Sequence, residues 1–224
     1  MRMRKSTLSG FLLSGFLSIA VLQSCKNDSY LLVPPPVPDQ SFTEEFDTLQ
    51  NAYNRGWRFV NHSEPIGTQD WVNGGIGPYS GIGHIFSSFD AGSGLATISN
   101  WAISPPVILQ NGDKIIFYTI TAGTAFPDRL QVRINNINDG LNVGTHADEV
   151  GDFTIPLLDI NPYYSDSPPY AFPDVWTRFE ATVVGLNNPA KGRFAFRYFV
   201  EDGGPSGSNS FGIAIDSVAY VSVK

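Results

Sequence analysis

The sequence predicts an all-β fold, a sandwich or jelly roll of two antiparallel sheets with about ten strands. Three observations carry that reading. From Ser41 onward, short segments rich in β-branched and aromatic residues recur between clusters of Gly, Pro, Asn and Asp. The chain has 22 glycines, 16 prolines and 13% aromatic residues, a composition suited to many turns around a ring-filled core. No stretch of that region carries the apolar period of an amphipathic helix.

Taken in order, the expected strands are "SFTEEF", "GWRFVN", "HIFSSF", "LATISN", "KIIFYTITA", "RLQVRI", "DFTIPL", "WTRFEATVV", "RFAFRYFVE" and "FGIAIDSVAYVSV". In "DRLQVRIN", Leu130, Val132 and Ile134 alternate with Arg129, Gln131 and Arg133, so one face is buried and the other solvated. "RFAFRYFVE" sets Phe194, Phe196, Tyr198 and Val200 against Arg193, Arg197 and Glu201 in the same way. The last segment is apolar on both faces at many positions, which predicts a central strand. Trp57 and Trp101 lie beside strands and are expected in the core.

The N-terminus speaks to location. Arg2, Arg4 and Lys5 precede an uncharged run from Leu8 to Leu22, whose 15 residues are too few to span a bilayer as a helix. Leu22, Ser24 and Cys25 then resemble a bacterial lipobox, in which the cysteine is acylated and becomes the new N-terminus. Cys25 is the only cysteine in the 224 residues, so no internal disulfide is possible. Residues 1–24 are thus expected to be a lipoprotein signal peptide. Residues 25–40 form a tether stiffened by Pro34, Pro35, Pro36 and Pro38, and residues 41–224 form one domain. Lys26 and Asp28 partly resemble the surface-export signal of Bacteroidetes lipoproteins. The expected location is the outer membrane, facing outward.

Charge narrows the partners. Removing residues 1–24 takes 3 of the 14 basic residues and none of the 21 acidic ones, leaving 11 against 21 and a net charge near −10. That argues against a nucleic-acid partner, which needs a basic stripe.

The order of "FTEEFDT", "GWRFVN", "SNWAISPPVIL", "DKIIFYT", "DRLQVRI", "WTRFEATVVGL", "GRFAFRYFV" and "FGIAIDSVAYVSV" resembles the choice-of-anchor J domain, a family related to the cleaved adhesin domains of gingipains. The most specific pieces are Asn100-Trp101 with Ser104-Pro105-Pro106, the strand "AFRYFV" and the terminal "IDSV". The resemblance runs from about Ser41 to Val223. It implies a jelly-roll sandwich, extracellular display, a binding role without catalysis, and calcium. Ser217 departs from the family, which commonly has a second Asp there. The stretch from Asn135 to Val175 is long and individual to this chain, with a hairpin turn expected at Asn138-Asp139-Gly140.

Three groups of residues are candidate sites. Calcium takes roughly six to eight oxygen ligands and could draw on Glu45, Asp47, Asp90 and Asp216, with Glu44 nearby. First and last strands of a jelly roll can lie side by side, which would bring Glu45 or Asp47 near Asp216. For a ligand, "NPYYSDSPPYAFPDVW" offers Tyr163, Tyr164, Tyr170 and Phe172 in a proline-rich loop with Asp166 and Asp174. Rings flanked by carboxylates suit sugars, whose C–H faces stack while hydroxyls donate to the acids. The same rings could instead cap an open end of the sandwich. "DWVNGGIGPYSGIGH" offers Trp71, Tyr79 and His84 similarly. Catalysis lacks support: His62, His84 and His146 are scattered, and no nucleophile elbow, zinc motif or phosphate loop is present. The expectation is a non-enzymatic surface protein that binds a glycan or a cell-surface protein. Service as a structural accessory subunit of a polysaccharide-uptake assembly is the alternative, and a hydrolase the least supported one.

Overall fold

The computed structural model describes residues 36–223. The expected signal peptide, Cys25 and most of the expected tether lie outside the described residues, and among those described no helix is long and apolar enough to cross a membrane.

Thirteen strands are present among the described residues. They are β1 (Phe42–Glu44), β2 (Arg58–Asn61), β3 (Glu64–Ile66), β4 (Val72–Asn73), β5 (Ile85–Ser88), β6 (Gly92–Ile103) and β7 (Val107–Leu109). The rest are β8 (Lys114–Thr121), β9 (Leu130–Asn135), β10 (Ile155–Ile160), β11 (Thr177–Thr182), β12 (Ala190–Gly203) and β13 (Gly212–Val221). One sheet runs β11-β8-β13-β5-β4, with β1 also paired to β13. The other runs β10-β9-β12-β6-β2, with β3 on β6 and β7 on β12. All pairings are antiparallel. The molecule is thus an all-β sandwich of two sheets, and β13 is central in its sheet, as its two-faced apolarity predicts.

Each sheet contributes its apolar period to one core. Leu130, Val132 and Ile134 from β9 join Phe194, Phe196, Tyr198 and Val200 from β12, facing Ile115 and Phe117 from β8 and Ile213 and Ile215 from β13. Rings link across the layers where Phe117 meets Phe196 edge-on at 4.8 Å, and Trp57, just ahead of β2, meets Phe194 edge-on at 5.7 Å. Trp57 and Trp101 are both fully buried, as expected.

Two features differ from the sequence reading. A short helix, α1 (Leu49–Asn54), follows β1, started by the Thr48 side chain accepting from the Asn51 N–H at 3.2 Å. Six residues are fewer than two turns and leave no readable period. The larger difference is the outer face of β12, which is covered rather than solvated. Residues 136–154 fold back over it and form a second cluster of Trp101, Ile103, Val143, Phe153 and Ala195. Arg197 lies beneath, 2% exposed. Its guanidinium donates to the Ala147 and Glu149 carbonyls and to the Ser99 hydroxyl, with its centre 3.9 Å from the Phe199 ring centroid. So the Asn138-Asp139-Gly140 turn, where Asn138 Oδ1 accepts from the Gly140 N–H at 2.7 Å, belongs to a long excursion between β9 and β10 and not to a tight hairpin.

Candidate functional site

The edge strands β10 and β11 belong to different sheets, and residues 161–176 connect them. Beside that connection lies a cavity of about 680 Å³. Its lining includes Tyr163, Tyr170, Phe172, Asp166 and Asp174, five of the six residues of the proline-rich stretch expected to meet a ligand. Ile160 and Asp159 from β10 and Thr177 and Phe179 from β11 complete it.

The loop is held from below. Asn161 takes φ 56°, and its side chain donates to the Asp128 and Ser165 carbonyls while accepting from the Ser165 N–H at 2.7 Å. Asn tolerates this left-handed conformation better than most residues, because its short amide can bond locally. At the other end, the Thr121 N–H donates to the Pro173 carbonyl at 2.8 Å. With its ends fixed, the loop divides its rings. Tyr163 and Tyr170 are 92% and 76% exposed, while Phe172 is 5% exposed and roots the loop in the core.

Tyr164 points the other way from Tyr163. It packs on the core edge and its hydroxyl accepts from the Glu201 N–H at 2.9 Å. Burial raises its phenol pKa, and it does not line the cavity. Beside it Arg129 makes a two-pronged bond to Asp159, at 2.9 and 2.7 Å, which fixes one wall. Behind the wall is Asp128, 1% exposed, accepting from the Tyr198 hydroxyl at 2.6 Å, the Thr121 hydroxyl at 2.6 Å and the Gly212 N–H at 3.0 Å. Burial pushes its carboxyl up to about 6. The sequence offered no mark on Asp128 or Asp159, since their partners are brought in by topology.

The glycine-rich stretch behaves differently. Trp71 is 3% exposed and belongs to the core, so it faces no ligand. His84 is buried too, and burial lowers its pKa. Tyr79 is 44% exposed and stacks on Tyr118 at 3.7 Å, with Trp176 edge-on at 6.2 Å. The Trp176 indole donates to the Gly77 carbonyl at 3.1 Å, which ties this stretch to the end of the cavity loop.

The expected calcium residues fall in two places. β1 pairs with β13, and Glu45, Asp47 and Asp216 gather around residues 79–83 as anticipated. Asp90 sits elsewhere, in the 3-10 turn Phe89–Ala91. Glu44, itself buried, turns to an ion pair with the half-exposed Arg55. Asp216 Oδ2 accepts from the Tyr79 and Ser80 N–H groups at 2.8 and 3.0 Å, and its Oδ1 from the Ser217 N–H at 2.7 Å. Glu45 accepts from the Ser217 hydroxyl at 2.7 Å and from that of Ser80. Asp47 accepts from the Ile82 N–H at 2.7 Å. Donors thus point at these carboxylates where a cation would need free oxygens. Among the described residues no group of three or more His, Cys, Asp or Glu is placed to hold a metal ion. The donor set reads as a hydrogen-bonded clasp for residues 79–83.

A two-sheet antiparallel sandwich defines a class of fold, and solved structures share it. The K1 cleaved adhesin domain of Lys-gingipain from Porphyromonas gingivalis W83 is 22% identical, matching 82% of this chain and 99% of that domain with a TM-score of 0.54. The K3 cleaved adhesin domain of the same protein is 14% identical, over 83% of this chain and all of that domain, at 0.54. A structure from work on carbohydrate-binding modules of the β-sandwich superfamily is 14% identical, over 83% of this chain and 63% of that one, at 0.50. These likenesses establish the fold, that of cleaved adhesin domains and sandwich carbohydrate-binding modules. No family profile and no curated protein matches the sequence.

Proposed function

We propose that this chain is a non-catalytic binding module, held at the outer-membrane surface by a lipid on Cys25, that takes a glycan in the cavity beside residues 161–176. The observation that carries the reading is the pair Tyr163 and Tyr170, 92% and 76% exposed on a loop whose two ends are fixed by hydrogen bonds. Exposing two large rings on a held backbone presents stacking faces at little ordering cost on binding. Asp166 and Asp174 stand on the same lining to accept sugar hydroxyls. Asp159, the third carboxylate there, is committed to Arg129, which supports binding over acid–base work. The names of the neighbours, an adhesin domain and a carbohydrate-binding module, agree with this reading without extending it.

A glycan array probed with wild type and with the double variant Tyr163→Ala/Tyr170→Ala tests the site. Loss of glycan binding at unchanged thermal stability is expected, since both rings stand in solvent. Unchanged binding places the ligand elsewhere, and a wild type that binds no glycan but retains a surface protein moves the reading to a protein partner. Intact-mass measurement of the membrane-extracted chain tests the anchor, with a diacylated N-terminal Cys25 expected and an unmodified thiol ruling it out.

A further inference from the structure

Beside the main cavity is a small hollow of about 20 Å³ that shares Thr124, Ser165, Asp166 and Phe172 with it. Phe126 lines that hollow and also a further cleft of about 150 Å³, together with Phe89 and Phe211. Phe126 is 43% exposed and Phe89 36%, and the Phe126 and Phe211 rings lie near parallel, centroids 6.4 Å apart. The far wall is the turn between β12 and β13. There Gly207 packs so tightly that a Cβ would lie 2.2 Å from the Asp202 carbonyl oxygen, and this compact turn presents Pro205 and Asn209 to the cleft.

The charge along this path has one sign. Asp166 and Asp174 line the first cavity, Asp159 there is already paired with Arg129, and no Lys, Arg or His lines any of the three hollows. An anionic polymer would meet carboxylates with no cation to pair with, in a chain of net charge −7. Aromatic faces with carboxylate acceptors match instead a ligand rich in hydroxyl donors and in apolar C–H faces.

We propose that the three hollows form one groove for several consecutive units of an uncharged saccharide chain, with Phe126 and Phe211 as a second stacking platform beyond Tyr163 and Tyr170. This rests on the glycan reading of the main cavity and extends it to chain length and charge class.

Calorimetric titration of the full-length protein with neutral gluco-, xylo-, galacto- and manno-oligosaccharides, monomer to hexamer, tests it, with oligogalacturonates as the anionic arm. In at least one neutral series the affinity is expected to rise about tenfold from dimer to hexamer, and the oligogalacturonates should not bind. Phe126→Ala should remove that gain and leave the dimer affinity unchanged, while Phe126→Tyr keeps both. An affinity already constant beyond the dimer, a silent Phe126→Ala at an unaltered melting temperature, or preferential oligogalacturonate binding would overturn the extended groove and leave the Tyr163–Tyr170 site standing. Absence of binding in every series, at every length, sinks the glycan reading itself.

Discussion

The two long connections on either side of β10 make opposite use of similar residues. Residues 136–154 lie down on the outer face of their sheet and bury Val143 and Phe153 against Trp101. Residues 161–176 stand away from the sandwich and leave Tyr163 and Tyr170 in solvent. The difference traces to what waits beneath each. Under the first is the Arg197 guanidinium, aimed at two of its carbonyls. Under the second, the strongest anchors are at the ends, Asn161 and the Thr121–Pro173 bond, with a hollow between. Rings do not decide by themselves whether a loop collapses or opens. The polar groups that the sheet offers to its backbone decide it, because a loop can lie flat only where its carbonyls and N–H groups find partners.

Removing the guanidinium is the strongest way to break the contrast. Arg197→Ala strands the Ala147 and Glu149 carbonyls and should cost about 3 kcal/mol, a fall in melting temperature of roughly 6–12 °C. Hydrogen exchange should rise across 136–154 and not across 161–176. Equal loosening of both would mean that the two loops form one unit.

The second effect separates the anchors by titration. Burial pushes the Asp128 carboxyl up to about 6, so the folded state prefers the protonated form more than the unfolded chain does. Its contribution is full below the unfolded carboxyl range near pH 4 and is lost as pH rises through about 6. Melting temperature should therefore climb as pH falls from 7 toward 5, and Asp128→Asn, which mimics the protonated acid, should flatten that climb. Arg197, pushed down to about 9 by burial, keeps its charge through this window, so the clamped loop should not respond. A variant whose profile matches wild type would remove Asp128 from the account.

The smallest effect compares neighbours in sequence. Tyr164→Phe loses the hydroxyl that accepts from the Glu201 N–H and should cost about 1 kcal/mol, whereas Tyr163→Ala should fall within about 0.5 kcal/mol of wild type. Reversed values would exchange the roles of the two rings.

All ten expected segments hold a strand: seven run six residues or more, where burial imposes a legible alternation, while the shorter β1, β2 and β5 showed as aromatic and β-branched residues between turn residues. β3, β4 and β7 went unread, since two or three residues show no period. The tyrosine loop was legible as rings among prolines, though Tyr163 and Tyr164 could not be told apart until the positive φ of Tyr164, 54°, set its direction. Arg193, Arg197 and Glu201 read as one solvated face. Their separation into a buried and an exposed set depends on a loop some 50 residues upstream in the chain, between Ala147 and Glu149, which no local pattern announces.

The pairing of β1 with β13 has a mechanical consequence. Under the proposed anchoring at Cys25, a pull on a bound ligand would reach residues 42–44, three residues matched to Tyr220, Ala219 and Val218. That joint is short, and its reinforcement is local. Phe42 stacks on Tyr220 and Phe194, Glu44 grips Arg55, and the Ser222 N–H donates to the Ser41 hydroxyl at 3.0 Å. Drag on a long captured polymer would therefore open the first strand before it disturbed the central strands. With the cavity at the β10–β11 edge and β1 separated from β11 by β13 and β8, the load path crosses the sheet through its central strand. Such a link yields at its attachment point and leaves the sandwich intact to close again.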